Sequence, residues 1–71
     1  MSVAEEKVAA FVERVRASYP GLTVAGHSVN TLTFALKDLL ASDEALLRID
    51  EAERPDLLRA IAAKLLVGTS P

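Results

Sequence analysis

Residues 28–41 read SVNTLTFALKDLLA, and this stretch decides how the chain folds. Its apolar side chains recur every three or four residues, which is the spacing of one face of an α-helix. We therefore expect an amphipathic helix from about Ser28 to Ala41, with Ser28 at its start. The residues of its apolar face are Val29, Leu32, Leu36, Leu39 and Leu40.

Two roles are open for Ser28. Serine is a preferred N-cap residue, because its side-chain oxygen accepts a hydrogen bond from a backbone N–H group of the first turn. A helix start also offers unpaired N–H groups and the positive end of the helix dipole, which together favour a phosphate group attached there. Ser28 is therefore either a helix cap only or the attachment point of a phosphate-linked group.

The first residues of the chain predict another amphipathic helix, from Val3 to about Ser18. Ser2 is in position to act as its N-cap, and Glu5 follows three residues later, as in a capping box. Charged side chains lie mostly on the opposite face of this helix. Its apolar stripe consists of Ala4, Val8, Phe11, Val12 and Val15.

The segment between these two helices begins with Pro20 and Gly21, which should end the first helix near Tyr19. Leu22 and Val24 alternate with smaller or polar residues, but a lone strand would have no partner. We expect these two side chains to pin the segment to the helical bundle.

The chain after residue 41 predicts a short helix or a single turn over residues 45–49, capped within residues 42–44. A last helix should begin around Pro55, which the first turn of a helix tolerates, and run to about Val67, with Gly68 as its stop. Residues 69–71 should fray. The inward side chains of this helix are Leu58, Ile61, Ala62, Leu65 and Leu66, and its outward ones are Asp56, Arg59 and Lys64.

The composition favours a single all-α domain over residues 1–71, built as a small helical bundle of three main helices and a short third helix or turn. The chain has no cysteine, so a disulfide framework and a thiolate metal site are excluded. Its apolar runs are too short to span a bilayer, and its first residues do not resemble a signal peptide. We expect a cytoplasmic protein that is a monomer or a weak dimer and does not bind membranes.

Charge and chemistry argue against two classes of function. The net charge is −2 and the eight basic residues are spread over all the helices, so a nucleic-acid interface is poorly supported. The single histidine, His27, cannot form a metal site or a nucleophilic triad without further ligands or bases. The carboxylates fall on polar faces or at capping positions, where we expect them to be solvated. No catalytic residue and no metal ligand is expected.

Phe34 lies off the apolar face of the second helix, beside Asn30, Thr31 and Lys37 on a helical wheel. Either the short third helix covers this ring, or the ring is exposed to a partner. We favour coverage, because an aromatic side chain is a large fraction of the core that so small a bundle can form.

The stretch GHSVNTLTFAL, residues 26–36, resembles the attachment region of acyl and peptidyl carrier proteins, in which a Gly-His-Ser or Asp-Ser-Leu tripeptide opens the second helix of a four-helix bundle. The opening MSVAEEKVAAFVERV is similar to the first helix of a carrier. The resemblance implies that a transferase attaches 4′-phosphopantetheine to Ser28, and that Val29 and Leu32 face the core. The module would then carry a thioester-bound acyl or aminoacyl group between biosynthetic enzymes, without activity of its own.

A second hypothesis needs no modification of Ser28. A small helical bundle can act as a docking or adaptor module that binds one protein partner through a helix face. In that case Ser28 is a helix cap only, and the partner is a protein that recognises the folded surface.

Overall fold

The computed structural model describes residues 4–68, and their backbone forms four helices and no strand. The helices are α1 (Glu5–Ser18), α2 (Val29–Leu39), α3 (Glu44–Leu47) and α4 (Arg54–Gly68). The prediction of an all-α bundle with three main helices and one short helix is confirmed. The predicted fraying of residues 69–71 lies outside the described residues.

The core forms around α4, which packs against both α1 and α2. The predicted apolar face of α2 is confirmed, since Leu32, Leu36 and Leu40 are fully buried. Leu57 is also fully buried, although the predicted stripe of α4 began one residue later. Because α4 has neighbours on two sides, it buries a wider face than a single stripe. The other buried apolar residues are Val8, Phe11, Val12, Val15, Leu46, Leu58, Ile61, Ala62 and Leu65.

The start of α1 differs from the prediction. The helix begins at Glu5 rather than Val3, and Ala4 is an exposed N-cap residue that makes no side-chain capping bond. Ser2, the predicted cap, lies outside the described residues. Glu5 and Glu6 occupy the first turn, where the positive end of the helix dipole stabilises their negative charge.

Residues 19–27, which we call the crossover segment, lead from α1 to α2. The N–H group of Tyr19 closes α1 on the carbonyl of Val15, and Leu22 and Val24 are half-buried against the core, as predicted. Gly26 has a φ of +89°, a left-handed conformation that glycine adopts without the steric cost of a Cβ atom. This glycine turns the chain just before α2 begins.

The ends of α1 and α2 lie close together. Asp43 lies in the turn after α2, where its N–H group donates to the carbonyl of Leu40, the C-cap of α2. Its carboxylate contacts Arg14 in α1 and Tyr19 just after α1. The crossover segment must reach the opposite end of α2, which is about 16 Å away for a helix of this length. The segment therefore runs back along the bundle.

The short helix α3 is held at both ends by side chains. Asp43 caps its start. Arg54 at the start of α4 donates to the carbonyl of Leu47 (3.2 Å), the last residue of α3, and to the carbonyl of Ile49 (2.9 Å) just beyond it. Such side-chain caps satisfy backbone groups that a helix of four residues cannot pair internally.

Phe34 is not covered by α3, so that prediction is wrong. Its side chain is 70% exposed. The short helix lies instead beside the face of α2 that carries Thr33, Lys37 and Ala41, with Leu46 buried and Leu47 half exposed. Four residues supply only one buried leucine, which does not reach around α2 to the aromatic ring.

Candidate functional site

The start of α2 is a reciprocal cap between Ser28 and Thr31. Ser28 has extended backbone angles, and its Oγ accepts a hydrogen bond from the N–H group of Thr31 at 3.2 Å. In return, the Oγ1 of Thr31 accepts from the N–H group of Ser28 at 2.9 Å. Thr31 thus takes the place that glutamate or glutamine holds in the usual capping box. Sequence reasoning predicted the cap at Ser28 but missed its partner, which the spacing of three residues could have indicated.

The hydroxyl of Ser28 is accessible at this position, since the residue is exposed. The carbonyl of Ser28 accepts from the N–H group of Leu32, which begins the helical ladder. Within residues 4–68, the N–H groups of Val29 and Asn30 have no hydrogen-bond acceptor. Two free donors therefore lie next to an exposed hydroxyl, at the positive end of the α2 dipole.

His27 contacts Thr31 and not Ser28. Its Nδ1 lies 3.1 Å from the Oγ1 of Thr31, which is also 3.2 Å from the Oγ of Ser28. The Thr31 hydroxyl carries one proton, so it can donate to only one of these neighbours at a time. No base in the described part of the chain touches the Ser28 hydroxyl directly.

Val29 and Leu32 anchor the first turn of α2 to the core. Val29 is half-buried and packs against the core, and Leu32 is fully buried. Both side chains face the bundle, in agreement with the orientation that the sequence led us to expect. The first turn of α2 is thus fixed on one side by the core and open to solvent on the side of Ser28.

A second polar cluster surrounds Asp43 at the opposite end of α2. The Nε of Arg14 lies 3.0 and 3.2 Å from the two carboxylate oxygens, the Tyr19 hydroxyl donates at 2.7 Å, and the N–H group of Ala45 donates at 2.8 Å. The side chain of Asp43 is only 2% exposed. The expectation of a solvated capping carboxylate is therefore wrong for this residue, because two side chains distant in the sequence fold over it.

Burial and the hydrogen bonds of this cluster shift the pKa values of Asp43 and Tyr19. Burial by itself raises the pKa of Asp43, but the hydrogen bonds from Tyr19, Arg14 and the N–H group of Ala45 outweigh burial, so the pKa is lower than usual. The hydrogen bond to Asp43 is also the main reason that the pKa of Tyr19 is raised, with burial and the negative charge adding to it. Both shifts preserve the arrangement of a neutral phenol donating to a charged carboxylate.

A groove of about 540 Å³ lies between α2, α3 and α4. Leu46, Leu47 and Leu58 form part of its apolar surface, and Lys37 and Arg59 are among the charged residues that also line it. The volume lies within the range of small-molecule sites, and the groove is open to solvent on one side. Apart from Phe34, Leu47 is one of the few large apolar side chains in the described residues that are exposed.

Residues 4–68 contain neither a cluster of metal-ligating side chains nor a helix able to cross a membrane. No group of three or more His, Asp or Glu side chains could hold a metal ion. None of the helices has the length and apolar character that crossing a bilayer requires. Comparisons of the chain with protein-family models, with curated proteins and with solved structures found no match.

Proposed function

We propose that this protein is a carrier module, and that Ser28 holds an acyl or aminoacyl group through a 4′-phosphopantetheine arm. One observation carries the proposal: an exposed serine hydroxyl lies at the start of α2, beside the free N–H groups of Val29 and Asn30. An exposed hydroxyl is what an attaching enzyme needs to reach, and free donors at a helix start favour the negative charge of a phosphodiester.

The residues around Ser28 fit such an arm. The bound arm supplies a terminal thiol that holds the cargo as a thioester. The backbone N–H groups of the first turn point towards the helix start, where the phosphate would be, and Thr31 keeps Ser28 in its extended conformation. Because the described residues place no base on the Ser28 hydroxyl, we propose that a partner transferase supplies the chemistry of attachment.

The test is intact mass spectrometry of the purified protein after incubation with coenzyme A and a broad-specificity phosphopantetheinyl transferase. The parent protein should gain the mass of one arm. Ser28→Asp should gain none, although aspartate also caps helices well and the variant should stay folded. Ser42→Ala is the matched control, since it removes another exposed hydroxyl and should be modified like the parent. A folded parent that several transferases leave unmodified would contradict the proposal.

A second candidate function is a docking module, in which Ser28 is only a cap. The exposed ring of Phe34 favours it, because a large aromatic side chain at the surface often anchors a protein interface. Leu47 is a further exposed apolar side chain, and it lines the groove between α2, α3 and α4.

The docking function makes a different prediction from the carrier function. A partner that is anchored on Phe34 should bind Ser28→Asp as well as the parent protein, and should bind Phe34→Ala much more weakly. An isothermal titration with each protein would distinguish the two functions. Equal affinity of a purified partner for the parent and for Phe34→Ala would exclude Phe34 as the anchor.

A further inference from the structure

We propose that Tyr19 is a positioning residue for Ser28: its hydrogen bond to Asp43 fixes the path of the crossover segment that leads to the attachment site. This inference rests on the proposed carrier function, since it concerns how a transferase finds Ser28. It assigns a role to a polar contact that lies at the other end of α2 from the modified residue.

The bond between Tyr19 and Asp43 is short and well supported. The phenol oxygen lies 2.7 Å from a carboxylate oxygen, and the carboxylate is itself held by Arg14 and by the N–H group of Ala45. A hydrogen bond to a charged acceptor is stronger and more directional than one between neutral groups. These bonds fix the position of the Asp43 carboxylate, and the hydrogen bond from the phenol orients the Tyr19 ring towards it.

The other contacts of the crossover segment define its direction less well. Within residues 4–68 its backbone N–H groups make local bonds only, from Tyr19 to Val15 (2.8 Å), from Leu22 to Tyr19 (3.1 Å) and from His27 to Val24 (3.3 Å). Leu22 and Val24 pack against the core, but apolar contacts are non-directional and tolerate sliding. In the described chain, Tyr19 makes the only side-chain hydrogen bond from this segment to a residue outside it and the first turn of α2.

Loss of this bond should therefore increase the number of conformations that the segment adopts. A partner enzyme must contact His27 and Ser28 together with the first turn of α2, since these groups are neighbours at the surface. When only a fraction of molecules has the competent conformation, the apparent affinity falls by that fraction. The rate of attachment in the bound complex stays the same, because Tyr19 does not touch the reacting hydroxyl.

The test compares transferase kinetics on the parent and on Tyr19→Phe, which keeps the ring and removes only the hydroxyl. We expect a several-fold higher KM for the carrier substrate and an unchanged kcat. Val8→Ala is the control, because Val8 is buried near the start of α1, away from the segment, and its truncation lowers stability without touching this bond. A purely structural role of Tyr19 would lower the melting temperature and leave KM unchanged, as we expect for Val8→Ala.

A second measurement does not depend on the transferase. Backbone ¹⁵N relaxation should show larger amplitudes of motion in residues 20–28 of Tyr19→Phe than in the parent, with α4 unchanged. Equal relaxation in the two proteins, or equal KM values on a modified parent, would overturn the role of Tyr19 and leave the carrier function standing. A parent that no transferase modifies would overturn both proposals.

Discussion

Within residues 4–68, the N-caps Ser28 on α2 and Asp43 on α3 use the same local chemistry but lie in opposite surroundings. Each accepts a hydrogen bond from a backbone N–H group of the helix that it begins. Ser28 is exposed and its side-chain contacts stay within the first turn of α2, whereas Asp43 is buried and binds side chains 24 and 29 residues away.

The side chain of Ser28 is therefore accessible to another molecule, whereas the side chain of Asp43 holds separate parts of the fold together. A hydroxyl with only local contacts can be modified without disturbing the rest of the bundle. A carboxylate that connects α1, the crossover segment and α3 cannot be changed without loosening all three.

Replacement of the buried cap should be the most damaging change. Asp43→Ala removes the cap of α3 and the carboxylate that Arg14 and Tyr19 bind. We expect a loss of about 2–4 kcal/mol in the free energy of unfolding, from a lost cap and lost hydrogen bonds to a charged group. Urea denaturation followed by circular dichroism measures this loss. A change below about 0.5 kcal/mol, as at an ordinary surface site, would show that the cluster does not hold the fold together.

Asp43 should also make the free energy of unfolding depend on pH. The folded-state pKa of Asp43 lies below its ordinary value of 3.8, so the unfolded chain binds more protons in this range. The stabilisation is complete above that value and is lost as the pH falls through the lower, folded-state pKa. Urea midpoints of the parent and of Asp43→Asn should therefore differ at pH 6 and converge in strong acid. A difference that stays constant down to pH 2 would contradict the charged state of Asp43.

Replacement of the exposed cap should cost less. Ser28→Ala removes the acceptor for the N–H group of Thr31 but no contact outside the first turn of α2. We expect a loss of about 1 kcal/mol, the usual cost of removing a serine N-cap. Thermal unfolding of both proteins at the same concentration measures it. A loss as large as that of Asp43→Ala would mean that Ser28 has contacts beyond its own helix.

The phenol of Tyr19 reports directly on the buried cap. The chain has one tyrosine and no tryptophan, so the ultraviolet absorbance of tyrosinate follows Tyr19 alone. Its titration midpoint should lie above 10.0 in the parent and move down in Asp43→Ala, which lacks the acceptor. The stabilisation from this phenol is present below pH 10 and is lost as the pH rises through the folded-state pKa. Identical midpoints in the two proteins would show that the bond is absent in solution.

The smallest effect should be that of Ser28→Asp. Aspartate accepts the same backbone hydrogen bond. The positive end of the α2 dipole stabilises its negative charge, and the first turn of α2 holds no acidic residue that would repel it. The free energy of unfolding should stay within about 0.5 kcal/mol of the parent value, which is the range of neutral surface substitutions. Chemical denaturation measures the difference, and a larger loss would mean that the hydroxyl has a structural role beyond capping.

The helices were predictable because their signals are local. The three- and four-residue spacing identified α1, α2 and α4, and the capping residues before α3 identified its start. The fully buried Leu57 was missed, since one apolar stripe does not reveal that α4 has neighbours on two sides. The exposure of Phe34 was missed for a related reason, because helix periodicity does not tell where a separate short helix will pack.

The two caps also differ in how far their contacts could be predicted from the sequence. Ser28 was predicted from the residues around it, since its contacts lie within four positions. A cap was predicted within residues 42–44 and Asp43 supplies it, but Arg14 and Tyr19 reach this residue only through the fold. No local pattern joins residues so far apart. The sequence therefore indicates where a cap lies, and tertiary structure decides whether it is exposed or buried.

The most direct test of the carrier function is a site-resolved mass spectrum after treatment with coenzyme A and transferase. Trypsin cleavage after Arg16 and Lys37 releases residues 17–37, whose serines and threonines are Ser18, Thr23, Ser28, Thr31 and Thr33. We expect one phosphopantetheine arm on this peptide, with fragment ions that assign it to Ser28. A peptide that remains unmodified on a folded protein, or an arm on any residue other than Ser28, would contradict the assignment of Ser28 as the attachment site.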